Sequence, residues 1–109
     1  MKFKEIFTQA INTKSKLEVT FFSKEDKSPL TRLCAPFDIG PGSNIKKDTA
    51  DRYHFWDYDS DTGPHTLSLV DEQVIEIKIL NEKFEPSNII TWNFKPNSWH
   101  LPRDWGNYS

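Results

Sequence analysis

The hydrophobic period of this chain changes once, near Leu17, and that change sets the fold class. Before it, Phe3, Ile6, Phe7, Ala10 and Ile11 recur at spacings of three and four, which gathers them on one face of a helix. Asn12, Thr13 and Ser15 weaken the pattern, while Lys14 and Lys16 suit the negative end of a helix dipole. A helix this short is marginal alone, so its apolar face must dock on something. From Leu17 onward the period is two. Leu17, Val19 and Phe21 alternate with Glu18, Thr20 and Phe22, as in a strand with two different faces.

Further short strands are expected at Leu30–Asp38, Arg52–Tyr58, His65–Val70 and Val74–Leu80. In the third strand Tyr53, Phe55 and Asp57 face one way and His54, Trp56 and Tyr58 the other. The last alternates through Ile75, Ile77 and Ile79, with Glu76 and Lys78 opposite. Ser23–Ser28 and Asp59–Gly63 read as turns, and Asp71–Gln73 as one tight helical turn. Pro36 implies an edge position or a bulge. Ile39–Asp51, with two Gly and one Pro, reads as the longest loop. Ile89, Ile90 and Trp92 are expected to form a short extended segment.

Five short strands are too few for a two-sheet sandwich. The economical solution is a mostly β fold with an N-terminal α-helix: a five-stranded SH3-like or Sm-like barrel, its open end plugged by the helix. Residues 1–84 would form this domain. Residues 85–109 would be a Trp- and Pro-rich tail packing on the barrel or on a partner.

Composition narrows the function classes. Hydrophobic residues are 36% of the chain and aromatics 14%, so rings must supply much of the core. No apolar run approaches the roughly 20 residues of a membrane span, and no leader segment is visible. The single Cys34 excludes an intrachain disulfide framework and a multi-cysteine zinc site, and a reducing, cytoplasmic setting is expected. A net charge of −2 excludes a generally basic nucleic-acid binder. The charge is uneven: residues 1–50 hold nine Lys/Arg against six Asp/Glu, and residues 51–109 hold five against ten.

One constellation stands out for binding: Arg32 with Tyr53, His54, Trp56 and Tyr58. A guanidinium clamps phosphate or carboxylate in a two-pronged geometry, and aromatic faces stack bases. Alternation also requires that half of these rings pack inward as ordinary core. Lys46 and Lys47, with Arg52, offer a second basic group for a nucleic-acid backbone, although loop charges are commonly just solvated. Asp57, Asp59 and Asp61 alternate like a calcium loop, but Thr62 and Ser68 stand where such a loop needs Gly and a two-oxygen Glu. Cys34 with His54 or His65 would be needed for nucleophilic chemistry, yet nothing in their spacing joins them. No metal site, cofactor site or enzyme activity is therefore expected.

The same residues resemble the WYL domain family. Ile6, Ala10 and Ile11 match its helix, Leu17–Phe22 its first strand, and Arg32 with Pro36 its R-x-x-x-P strand. Arg52–Asp59 sits where the family has its naming aromatic strand, here with Tyr53-His54-Phe55. Thr66–Leu69, Ile75–Leu80 and Phe84 match the final strands. Ser68 and Asp71–Gln73 stand where the family commonly carries basic residues. The resemblance implies an Sm-like or SH3-like barrel in a bacterial regulatory or defence protein that senses nucleotides or nucleic acid. The usual companion helix-turn-helix has no room in this sequence, so DNA reading is not carried over.

The expected function is thus a non-catalytic, regulatory module that binds a ligand or nucleic acid, with a nucleotide or single strand as partner. The alternative is a protein-interaction or self-associating module, a homo-oligomer included, that uses the aromatic tail. Trp92, Trp99 and Trp105 would each lose roughly 2–3 kcal/mol if left in water, so they must fold back or dock elsewhere.

Overall fold

In the computed structural model, residues 1–41, 51–59, 65–90 and 101–106 are described. Helix α1 (Lys4–Thr13) is followed by β1 (Ser15–Ser23), β2 (Ser28–Pro41), β3 (Asp51–Asp57), β4 (His65–Val70), a 3-10 turn (Asp71–Gln73), β5 (Val74–Lys83) and a short helix α2 (Pro86–Ile89). The helix ends where Lys14 adopts a left-handed conformation, φ 54°, and its N–H donates back to Ile11. That reversal lets Ser15 start β1 directly beneath the helix.

All five strands form one antiparallel sheet in the order β4-β3-β2-β1-β5. β4 and β5 are its opposite edges, yet only Asp71–Gln73 separates them in sequence. A flat five-stranded sheet would put its edges about 19 Å apart. A 3-10 turn of this length reaches only about 8 Å. The sheet must therefore curl until its edges converge at the turn. No ladder joins β4 to β5 among the described residues, so the expected closed barrel gives way to a strongly bent, open sheet. Phe7 lies against the rings of Tyr53 and Phe55, at 5.6 and 5.4 Å between centroids, so α1 packs on the inner face of the sheet.

Three register slips occur among the described residues, and two of them shape the sheet near the site and the edge. The β2–β3 register slips between Pro36 and Asp38, leaving Phe37 as the extra residue. Pro36 is thus at a bulge inside a central strand, not at an edge, and β2 continues through Ile39–Pro41 instead of opening into a loop there. The β1–β5 register slips between Thr20 and Phe21, so Val74 points inward and Ile75 is turned out, 52% exposed. The expected alternation through Ile75 fails for that reason.

The core is one cluster. It joins the helix (Phe7, Ala10, Ile11), the inner sheet face (Leu17, Val19, Tyr53, Phe55, Ile77) and the segment after β5 (Phe84, Ile89, Ile90, Trp105). Pro86 sits at the start of α2, where its fixed φ and missing N–H cost nothing, so residues 86–89 are helical rather than extended. Trp105 is buried: its indole N–H donates to the Ile11 carbonyl at 2.9 Å and its ring meets Phe84 edge-on. Trp92 and Trp99 lie outside the described residues.

Candidate functional site

The period-two geometry of β3 divides its side chains between two faces. Tyr53, Phe55 and Asp57 are buried. Arg52, His54 and Trp56 share the other face and are half-buried. Across the ladder they stand beside Val70, Ser68 and Thr66 of β4. The result is a row of guanidinium, imidazole and indole, spaced roughly 7 Å apart along the strand and flanked by two hydroxyl residues.

His54 is the most constrained member. Its Nδ1 lies 2.7 Å from Ser68 Oγ and its Nε2 3.0 Å from the Gly40 carbonyl. A carbonyl can only accept, so Nε2 donates to Gly40, while the serine hydroxyl can pair with Nδ1 in either direction. The ring is fixed in orientation by these two contacts. The Trp56 indole is steadied by an edge-on contact with Phe37, the bulge residue, at 6.0 Å.

The structure divides the remaining candidates. Tyr53 is fully buried, so it leaves the binding row. Its hydroxyl donates to Asp71 Oδ1 at 2.6 Å and accepts the Phe3 N–H at 3.0 Å. Burial and the Asp71 hydrogen bond both push the phenol pKa up, and the same bond holds the Asp71 carboxyl below its ordinary range. Arg32 lies opposite Val19 in the ladder, a position shared with the inward row, and its guanidinium donates to the Asp59 carbonyl. Asp59 also accepts the Leu33 N–H at 2.6 Å, so Arg32 belongs to the packing of the β3 exit rather than to the outer row. Tyr58 is beside β1: the Lys16 ammonium lies 4.8 Å from its ring centre and pairs with Glu82 at 2.7 Å. Burial first, then Glu82, pushes the Tyr58 phenol up to about 12. Lys46 and Lys47 lie outside the described residues, as does Asp61.

Cys34 is buried opposite Asp57, on the face away from His54. Burial, and then the nearby Asp57 and Asp59 charges, push its thiol far above the ordinary range, so the thiolate is suppressed. Among the described residues no group of three His, Cys, Asp or Glu could hold a metal ion. No described helix is long and apolar enough to cross a membrane.

Two features beside the row were not read from the sequence. Asp38 is the ladder partner of His54. Its Oδ1 accepts the Leu101 N–H at 2.9 Å and lies 3.3 Å from Arg103 Nη2. Arg103 also donates to the Phe37 carbonyl, and its guanidinium lies 4.5 Å from the Trp105 ring centre. Burial pulls the Arg103 pKa down, to about 10, against the upward pull of Asp38, and the group stays cationic at neutral pH. The C-terminal segment is thereby fastened along the margin of the His54 row. No sequence period marks Arg103, and its partner lies 65 residues away. Ser68 was equally silent, because only the register places it against His54.

No protein-family model matches the chain, and no curated protein matches its sequence. Among solved structures, the chain is similar to proteasome accessory factor B/C (PafBC) of Arthrobacter aurescens, with a TM-score of 0.57 and 18% identity over 83% of this chain. The match spans 13% of that protein's length. PafBC contains a WYL domain, so the likeness supports a WYL-related fold for this chain.

Proposed function

We propose that this chain is a non-catalytic regulatory module that binds a nucleotide or single-stranded nucleic acid across the outer face of β3. The observation that carries this reading is the row Arg52, His54 and Trp56 on one half-exposed face. Its geometry is fixed by Ser68, Gly40 and Phe37. A guanidinium meets phosphate in a two-pronged fork and an indole stacks a base, with the His54 ring, held by Ser68 and Gly40, fixed between them. The bent sheet is read as an SH3-like or Sm-like barrel without its closing ladder, the regulatory setting follows the WYL resemblance, and the cytoplasmic location follows the single free Cys34. The suppressed thiolate of Cys34 supports a module without covalent chemistry.

Fluorescence anisotropy of labelled single-stranded oligonucleotides, with mononucleotides as competitors, tests the reading. Binding should weaken about tenfold or more in Trp56→Leu, as expected for loss of a base stack. It should weaken similarly in Arg52→Ala and stay near the parent value in Arg32→Ala. Absence of binding to every oligonucleotide and mononucleotide would overturn it. In the rival reading, association through the aromatic tail, Trp105 takes no part, because it is buried inside its own chain.

A further inference from the structure

We propose that β5 is the surface through which two copies of this chain associate, as antiparallel partners about a two-fold axis at Ile77. β5 is an edge strand, hydrogen-bonded to β1 alone among the described residues. Its other side therefore presents a row of backbone donors and acceptors, the usual template for strand addition. Charges on an edge strand normally discourage such pairing. Here their order selects one register instead.

The outward row of β5 carries Glu76 and Lys78, which flank the inward-facing Ile77. Among the described residues neither forms an ion pair, although Lys78 stands opposite Glu18 of β1 in the ladder. With the axis at Ile77, Glu76 of each copy stands opposite Lys78 of the other, and the two cross-strand pairs are both of opposite sign. An axis moved by one residue sets Glu76 against Glu76, or Lys78 against Lys78. Registers that add an odd number of residues put an inward side chain opposite an outward one. β4, the opposite edge, has no Lys, Arg, Asp or Glu and offers no comparable selection.

The test is the mass of the full chain in solution by sedimentation equilibrium over a wide concentration range, with far-UV circular dichroism as the check on folding. A monomer–dimer equilibrium is expected. Glu76→Lys and Lys78→Glu, each alone, create two like-charge pairs per dimer and should weaken association at least about tenfold. The double variant E76K/K78E reverses both signs and should restore it. A chain monomeric at all concentrations overturns the proposal. So does a dimer whose strength ignores the single changes, or single-variant losses that the double exchange fails to recover. These outcomes are independent of nucleic-acid binding, which is assigned to β3.

Discussion

The two faces of β3 are built from neighbouring residues and do opposite work. Tyr53 and Phe55 are fully buried and pack on Phe7. His54 and Trp56, one residue along, are half-buried and look outward. Inward, shape is the constraint: each ring is held by apolar contact, and the one hydroxyl, on Tyr53, has both a donor and an acceptor partner. Outward, orientation is the constraint. His54 and Trp56 are held by a hydroxyl, a carbonyl and one ring edge, which fixes their direction while leaving part of their surface to water. The difference teaches that an aromatic-rich strand is not by itself a binding strand. The same residue types stabilise on one side and present chemistry on the other.

The sharpest way to break this comparison is a pair of substitutions on adjacent residues. Phe55→Ala should cost about 3–5 kcal/mol by urea denaturation, as for a large ring removed from a packed core. His54→Ala should cost about 1 kcal/mol or less while weakening oligonucleotide binding. Equal stability losses would mean that β3 has no distinct outer face. Next in size is the fastening of the C-terminal segment. Arg103→Met leaves Asp38 buried without its countercharge and should cost about 3 kcal/mol. Adding Asp38→Asn in the same chain should recover part of that loss, and full additivity would show that the pair is not coupled.

A smaller effect isolates the inner face's one polar contact. Tyr53→Phe keeps the ring and removes the hydroxyl shared by Asp71 and Phe3, so roughly 1–2 kcal/mol is expected. The smallest effect is a pH slope. Asp71 has its carboxyl pKa lowered by Tyr53 in the folded chain, so its stabilisation is complete above the unfolded carboxylate value of about 4. It fades as pH falls through the folded value, and Asp71→Asn should flatten the acid limb of stability against pH. Tyr58 behaves oppositely. Its phenol is raised to about 12, so its stabilisation is present below an unfolded value of about 10 and is lost as pH rises towards 12. Tyr58→Phe should remove that alkaline loss.

Local pattern made much of the fold legible. The helix, the five strands and the one-turn break at Asp71–Gln73 are governed by period and turn chemistry, which act over a few residues. The failures have a different range. Period alone places Ile75 inward, because a bulge depends on how two strands align and neither strand records the slip alone. Residue type alone groups Arg32 with His54 and Trp56, but its partner Asp59 lies at the exit of a neighbouring strand. Arg52 heads the outer row, a place that its charge alone does not reveal.

The amino-acid order by itself settled the succession of one helix and five strands and most of the side chains that alternate, because hydrogen-bonded backbone repeats at short, fixed intervals. Tertiary structure alone decided that the sheet stays open, that Asp38 meets Arg103 and that Ser68 orients His54. Those outcomes depend on register and curvature, which set distances between residues far apart in the chain and leave no local trace in it.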